Sequence, residues 1–420
     1  MLLSMKSRLT VMSFLQFFIW GAWLLTVANY WFGTKHWDNT EFAAIFSTMG
    51  IASVFMPTIC GILADRWINA EKLFGALHLL GGITMLFVPL VDNPTDFFWI
   101  ILVAMIFYMP TLALSSSVAF NTLIANEYDV VKVFPPIRVW GTVGFIAATW
   151  VTNLTGNKAS ENQFYISAFV SILLGIYAFT LPACKPMLKK GEKKSFIQTI
   201  GLDAFYLFKT YKMALFFFFS LFLGAALQLT NAYGDVFLSS FKEIPKYADS
   251  FAVKYSTIII SISQISETLF ILAIPFFLRK FGIKKVMLFS LIAWFLRFGL
   301  FAYGNPTDGL WMIVLSCIVY GMAFDFFNIS GSLFIEQNTS PTIRSSAQGI
   351  FMMMTNGFGA IIGSLTSGYL IEHYFTLATG KNDWQSIWLC FALYALVIAV
   401  LFAVLFKHKH EPEKIQNIQH

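Results

Sequence analysis

The sequence predicts an all-α membrane protein whose twelve transmembrane helices form two bundles of six. Two observations predict it. Of the 420 residues, 57% are hydrophobic and only 12% are charged, whereas a water-soluble domain carries about 25% charged residues. The apolar residues also fall into runs of about 20, the length that a helix needs to cross a bilayer. Runs of this length are helices, since bilayer hydrocarbon satisfies no open backbone groups. A soluble fold is therefore excluded.

The first six apolar runs are bounded by charged or turn residues. They lie near 10–33, 41–63, 71–91, 97–124, 137–155 and 163–183. The first run follows a short basic segment with Lys6 and Arg8. It is too long for a signal-peptide core and has no cleavage site of small residues, so we expect it to remain in the mature protein.

The last six runs repeat the pattern of the first six. They lie near 211–239, 254–278, 284–304, 309–335, 343–371 and 384–406. An offset of about 212 to 214 residues brings Tyr108 onto Tyr320, Arg66 onto Arg279 and Gly144 onto Gly357. A parallel repeat of six plus six helices is typical of transporters whose two halves rock about a central site.

The basic residues indicate how the chain is oriented and divided. With the N-terminus inside, 21 of the 28 Lys and Arg residues lie on the cytoplasmic side and six lie outside, which predicts cytoplasmic termini. We expect an N-terminal bundle at 1–183, a basic cytoplasmic linker at 184–210, a C-terminal bundle at 211–407 and a tail at 408–420. The net charge of +6 does not indicate nucleic-acid binding, because the basic residues lie between the apolar runs.

The residue types needed for catalysis or metal binding are not arranged for either role. The four cysteines are far apart, and only His78 among the six histidines lies well inside a span. The sequence therefore predicts no enzyme activity, no catalytic residue, no cofactor and no metal site. A membrane receptor is also disfavoured, because the chain has no soluble sensing domain.

Three charged residues lie in the middle of predicted spans, namely Glu267, Arg297 and Asp325. Each costs about 2.5 to 3.5 kcal/mol on membrane-insertion scales. The two acids lie roughly 20 to 25 Å along their helices, at a rise of about 1.5 Å per residue. This depth suits a transport site. The alternative is an ion pair between Arg297 and one carboxylate that only joins helices.

Polar side chains near these acids recur at helical spacing, so that each set presents one stripe. We predict that four helices line one cavity with these stripes. The sets are Gln228 with Asn231, Gln264 with Glu267, Asp325 with Asn328, and Arg138 with Thr142 and Phe145. For a lone polar residue such as Gln16, the alternative to a place in this cavity is a hydrogen bond that only joins two helices.

The loop after the second span reads Gly61-Ile62-Leu63-Ala64-Asp65-Arg66. It resembles the G-x-x-x-D-R signature of the major facilitator superfamily, with a degraded copy at 278–282. The resemblance implies that Asp65 and Arg66 take part in gating, because a charge at a helix end can stabilise one conformational state. The alternative is an interfacial charge pair that only sets topology.

A closer resemblance runs over nearly the whole chain. It is carried by SFLQFFIWGAW (13–23), FPPIRVWGTVGF (134–145), LQLTNAYG (227–234), SISQISETLFIL (261–272), AFDFFNISGS (323–332) and SAQGIFMMMTNGFG (346–359). These segments resemble the nucleoside:proton symporter family of bacterial nucleoside permeases. The resemblance implies a nucleoside substrate such as uridine, protons as the coupling ion, and a bacterial inner membrane in contact with lipid. We expect a monomer.

By the same resemblance, ten positions form the substrate site: Arg138, Thr142, Phe145, Gln228, Asn231, Gln264, Glu267, Tyr320, Phe324 and Asp325. Their chemistry suits a nucleoside. Amide side chains donate to and accept from base edges and ribose hydroxyls, while Tyr320 and Phe324 can stack on a base. Asp325 and Glu267 are the candidates for proton coupling. The alternative is a carrier of the same superfamily for a sugar or a drug.

Overall fold

The computed structural model describes residues 4–128, 130–186, 202–339 and 344–408. Within them, long helices account for nearly all regular structure. The chain divides into two compact units, Met1–Ser195 and Phe196–His420. The predicted bundle boundaries stay a prediction, and residues 187–201 of the predicted linker and 409–420 of the predicted tail lie outside the described residues.

The first unit contains six long helices. They are α1 (Met5–Gly21), α2 (Asn39–Arg66), α3 (Ala70–Phe87), α4 (Pro94–Ala125), α5 (Val130–Leu154) and α6 (Asn162–Ala178). After α1 the chain continues through a turn, the short helix Val27–Tyr30 and the π-helical segment Trp31–Lys35. At this interruption the Thr26 hydroxyl donates to Gln163 Oε1 of α6 over 2.9 Å.

The second unit begins, among the described residues, with the 3₁₀ helix Leu202–Lys209. Helix α7 (Tyr211–Ser240) follows, and the short helix Phe251–Lys254 precedes a 48-residue helical stretch, Ser256–Tyr303. A straight helix of that length would measure about 72 Å, more than twice the hydrocarbon thickness. Gly282 divides it with a φ of 77°, a conformation that glycine adopts at little cost. The two parts are α8 (256–281) and α9 (283–303).

Two of the last three helices, α10 and α11, contain breaks. Helix α10 divides at Phe324 into α10a (Leu310–Ala323) and α10b (Asp325–Asn338). Helix α11 consists of α11a (Arg344–Met352), the π-helical segment Met353–Gly359 and α11b (Ala360–Leu370). A second π-helical segment, Ile371–Phe375, precedes α12 (Trp384–Leu405). Eight stretches of the described residues are long and apolar enough to cross a membrane, and the twelve predicted spans are consistent with α1–α12.

Each unit contains a helix pair whose backbones touch at glycine residues. In the first unit, a Cβ atom on Gly21 of α1 would lie 2.5 Å from the carbonyl oxygen of Phe145 in α5. In the second unit, a Cβ atom on Gly224 of α7 would collide with the carbonyl oxygen of Thr355 in α11. Small residues at such crossings allow two membrane helices to approach closely.

Candidate functional site

Helices α8 and α10a pack closely beside two of the predicted site residues. The Ser266 hydroxyl of α8 donates to the carbonyl oxygen of Ile318 in α10a over 2.5 Å. A Cβ atom on Gly321 would lie 2.5 Å from the same hydroxyl oxygen. Glu267 and Tyr320 are the chain neighbours of Ser266 and Gly321. The close crossing therefore brings the carboxylate and the phenol of these two helices into the same region.

Tyr320 lies within electrostatic reach of three charged side chains, Glu267, Arg297 and Asp325. Its side chain is buried, with 6% of its surface exposed. Both predicted coupling acids and the membrane-embedded arginine therefore surround one aromatic residue of the second unit. We call Glu267, Tyr320 and Asp325 the acidic cluster.

Asp325 occupies the first position of α10b, directly after the helix break. The carbonyl oxygen of Ala323, at the end of α10a, accepts a hydrogen bond from the Ser290 hydroxyl of α9. A side chain that bonds to a helix carbonyl interrupts the backbone ladder and is a recognised cause of such breaks. Phe324, at the break itself, is partly buried. The carboxylate thus stands at the N-terminus of a half-helix.

Arg297 is fully buried in α9 and donates to three other helices. Its Nε donates to Thr230 Oγ1 of α7 over 3.1 Å. Its Nη1 donates to Ser263 Oγ of α8 over 3.3 Å and to the Ser316 carbonyl oxygen of α10a over 3.0 Å. The Ser316 hydroxyl in return donates to the carbonyl oxygen of Arg297 over 2.9 Å. Arg297 therefore connects four helices, through hydroxyl and carbonyl oxygens rather than through a carboxylate.

The guanidinium of Arg297 also lies over two aromatic rings. Its central carbon is 4.5 Å from the ring centroid of Tyr320 and 4.9 Å from that of Phe301. In the described part of the chain, its Nη2 has no hydrogen-bond partner. These contacts differ from the ion pair that the sequence left open as an alternative role for this arginine.

The polar stripe of α7 adjoins the same region. Thr230, which accepts from Arg297, lies between Gln228 and Asn231. Gln228 is buried, and its Oε1 has no hydrogen-bond partner among the described residues. Asn231 and, on α8, Gln264 are partly buried. A buried amide oxygen without a partner is costly, and an acceptor of this kind is suited to a ligand that donates hydrogen bonds.

The remaining three predicted site residues lie on α5 of the first unit. The guanidinium carbon of Arg138 is 4.0 Å from the Phe17 ring centroid of α1. Thr142 and Phe145 are partly buried, and the Phe145 backbone contacts Gly21 at the α1–α5 crossing. That these residues line one cavity together with those of the second unit stays a prediction.

The gating prediction for Asp65 and Arg66 also stays a prediction. Asp65 lies near the end of α2, and its side chain is outside the described residues. Arg66 is the last residue of α2 and is partly exposed.

A buried polar cluster in the first unit joins four helices and contains Gln16. Its Nε2 donates to Thr111 Oγ1 of α4 over 2.8 Å, and its Oε1 lies 2.7 Å from His78 Nε2 of α3. The Tyr108 hydroxyl donates to the Gln16 carbonyl oxygen over 2.8 Å. His78 Nδ1 lies 3.3 Å from the Ser171 hydroxyl oxygen of α6. The interhelical hydrogen-bonding role left open for Gln16 is the one that these contacts support.

A buried carboxylate on the polar face of α7 was missing from the charged residues that the sequence analysis singled out. Asp235 of α7 is only 2% exposed, and its Oδ1 accepts from Thr257 Oγ1 of α8 over 3.0 Å. It follows Gln228 by seven residues and so lies on the same helix face. Asp235 lies near the end of the predicted span, so a search for charges in the middle of spans does not find it. Its spacing of seven residues from Gln228 could have indicated it.

No group of three or more potential metal ligands occurs in residues 4–128, 130–186, 202–339 and 344–408.

The chain is similar to known transporters over its whole length. The model of the family described as "Nucleoside H+ symporter" matches residues 3–411. Nucleoside permease NupG of Escherichia coli (strain K12) is 49% identical over 421 residues, which cover 100% of both chains. Xanthosine permease of the same strain is 50% identical over 416 residues and 99% of both chains. The crystal structure of nucleoside transporter NupG superimposes with a TM-score of 0.89 and covers 97% of this chain and 100% of that one.

Proposed function

The chain belongs to the nucleoside H+ symporter family, and from this premise we propose that it imports nucleosides together with protons by alternating access. It is an integral, multi-pass membrane protein with the major facilitator fold, and its relatives are permeases rather than enzymes. Location in a bacterial inner membrane with both termini in the cytoplasm is part of the proposal. The strong excess of Lys and Arg in the loops on one side supports that orientation.

The observation that carries the proposal within the molecule is the acidic cluster. Glu267 and Asp325 both act electrostatically on the buried ring of Tyr320. A proton symporter needs a membrane-embedded carboxylate that exchanges its proton with water, and an aromatic surface nearby suits a flat base. We propose Asp325 as the first candidate for the proton-coupling residue and Glu267 as the second.

Ten side chains would form the substrate site in this proposal, three from α5 and seven from the second unit. The buried acceptor of Gln228 supports their role because it suits a donor on the base or the ribose. The others are Arg138, Thr142, Phe145, Asn231, Gln264, Glu267, Tyr320, Phe324 and Asp325. Asp65 and Arg66 are proposed to act in gating, at the cytoplasmic end of α2.

The energy available to such a symporter is sufficient for strong accumulation. A membrane potential of 100 mV supplies about 2.3 kcal/mol per proton, and one pH unit supplies about 1.4 kcal/mol. Together they support roughly 500-fold accumulation at one proton per nucleoside. Coupling requires that the proton and the nucleoside each increase the affinity for the other.

Vesicles reconstituted with the purified protein test the proposal. Proton flux and uptake of labelled uridine are measured together for the wild type, for Asp325→Asn and for Glu267→Gln. We expect Asp325→Asn to abolish uphill uptake and to retain exchange of preloaded nucleoside, because an amide cannot carry the proton. Asp249→Asn is the matched control, since Asp249 is an exposed acid paired with Lys254. Full proton-driven accumulation by Asp325→Asn would contradict its assignment.

Substrate class is tested separately by competition. Unlabelled nucleosides, free bases, sugars and drugs are added to the uridine uptake assay. We expect only nucleosides to compete strongly. Competition by sugars without competition by nucleosides would show that the chain is a carrier of another class.

A further inference from the structure

Arg297 is a buried charge whose direct partners are neutral. It is 0% exposed, and its hydrogen bonds go to two hydroxyl oxygens and one carbonyl oxygen. Burying a charge in a membrane is costly, and neutral oxygens compensate it only in part. Its Nη2 also has no hydrogen-bond partner in the part of the chain that the structure describes. The bonds that join the helices therefore do not account for every donor of this guanidinium.

The position of Arg297 relative to Tyr320 indicates a different role. The guanidinium carbon lies 4.5 Å from the Tyr320 ring centroid, within the range of a cation–π contact. Trp294, one turn earlier on α9, contacts the same ring edge-on with centroids 5.8 Å apart. Two residues of α9 therefore fix the orientation of the tyrosine that also interacts with Glu267 and Asp325.

We propose that Arg297 is a positioning residue for transport: it fixes Tyr320 for nucleoside binding, and its charge helps to set the pH range in which the protein takes up nucleoside. The inference rests on the proposed function. It assigns two separable effects to one side chain. The geometry of the guanidinium controls affinity for the nucleoside, and its charge controls the pH range of uptake.

The charged and titratable groups around this centre come from three helices. Glu267 is on α8, Arg297 is on α9, and Cys317, Tyr320 and Asp325 are on α10. Helix α7 contributes the neutral Thr230, and Trp388 of α12 contacts the rings of Phe298 and Phe301 on α9. Arg297 is the cation that the second unit contributes to these groups, and Arg138, a cation of the proposed substrate site, lies on α5 of the first unit. Loss of the Arg297 charge favours protonation of the acids. Half-maximal uptake is then expected at a higher pH.

Two substitutions at this position separate the effects. Arg297→Lys keeps the charge but cannot bridge three helices with a planar fork. We expect its KM for uridine to rise about tenfold and its pH profile to stay as in the wild type. Arg297→Met removes the charge as well. We expect a similar rise in KM and a shift of the uptake profile to higher pH by about half a unit to one unit.

Two further variants loosen the arginine without replacing it. Thr230→Val removes the acceptor of Nε, and Ser263→Ala removes one acceptor of Nη1. We expect each to raise KM about threefold with an unchanged pH profile. Lys254→Met is the matched control, because Lys254 is an exposed cation of the same unit. Monodispersity in detergent and the melting temperature establish that each variant is folded.

Each outcome bears on one proposal. If the wild type does not couple uridine uptake to protons, the proposed function is wrong. If the wild type is coupled and folded Arg297→Met keeps both the wild-type KM and the wild-type pH profile, the positioning role is wrong. A shifted pH profile in Arg297→Lys would contradict the assignment of the pH effect to charge.

Discussion

The two units bury different polar centres next to equivalently placed tyrosines. In the first unit, Tyr108 donates to the carbonyl oxygen of Gln16, whose side chain bonds to His78 and Thr111. In the second unit, Tyr320 lies beneath the guanidinium of Arg297. The centre of the first unit contains only neutral groups when His78 carries a single ring proton. Both the nitrogen and the oxygen of the Gln16 side-chain amide have hydrogen-bond partners there. The centre of the second unit contains a fixed charge and a donor nitrogen without a partner in the described residues.

The difference shows that the packing of six helices does not require a buried arginine beside the equivalent tyrosine. Offsets of 212 to 214 residues bring Met85, Thr84 or Ile83 of α3 onto Arg297, and none of these three residues is charged. Because six helices pack in the first unit without an arginine at that position, the arginine of the second unit calls for a functional explanation. The predictions below test this contrast between a structural centre and a functional one.

The largest effect is expected from the feature that both units share, the backbone contact of two helices. Leucine at Gly144 would collide with the Phe14 backbone, and leucine at Gly224 with the Thr355 backbone. We expect neither Gly144→Leu nor Gly224→Leu to yield folded protein, as judged by size-exclusion chromatography in detergent. Gly234→Ala, on α7 but with open space around its Cβ position, should fold normally. Normal yield of both leucine variants would disprove the close crossing.

A smaller effect is expected at the neutral centre. His78→Ala removes the partner of Gln16 Oε1 and leaves a cavity among α1, α3 and α6, which should cost about 2 to 4 kcal/mol of stability. The melting temperature should fall, while the KM for uridine and the pH profile of uptake stay unchanged. A shifted pH profile would show that this centre also takes part in coupling, and the contrast between the units would fail.

The smallest effect is expected from ion pairs near the surface, of which we consider one in each unit. Lys35 pairs with Asp92 over 3.0 Å, and Lys381 pairs with Glu243 over 2.9 Å. Asp92→Asn and Glu243→Gln should each lower stability by less than about 1 kcal/mol, since water and salt screen such pairs. The loss of stability is measured by thermal unfolding. A larger loss in either variant would show that charges near the surface contribute to stability as the buried centres are expected to do.

The pH dependence of the Lys35 pair follows from its environment. Burial lowers the pKa of Lys35, but its hydrogen bond to Asp92 and the charges of Tyr30 and Asp92 outweigh burial and leave the pKa raised. A cation with a raised pKa contributes stability below its ordinary pKa and loses the contribution as pH rises beyond it. The effect of Asp92→Asn should therefore be constant between about pH 6 and pH 9.

The sequence was sufficient to predict the helices, because long apolar runs leave a membrane chain little choice of structure. It also predicted the polar stripes, since helical spacing is local. The break in α10 could not be predicted: Phe324 is neither glycine nor proline, and the hydroxyl that bonds to the preceding carbonyl comes from Ser290 of another helix. The partners of Arg297 were equally inaccessible, because they are oxygens of three separate helices rather than a charged residue that a sequence search would single out.

The glycine crossings have a mechanical consequence. Where α1 meets α5, and where α7 meets α11, no layer of side chains separates the two backbones. Because no side chains lie between the two backbones to repack, we expect the two helices of each pair to move together as one rigid unit. Conformational changes during transport should then occur where helices contact each other through flexible side chains. At the glycine crossings themselves, no space is left for a small molecule to bind between the two backbones.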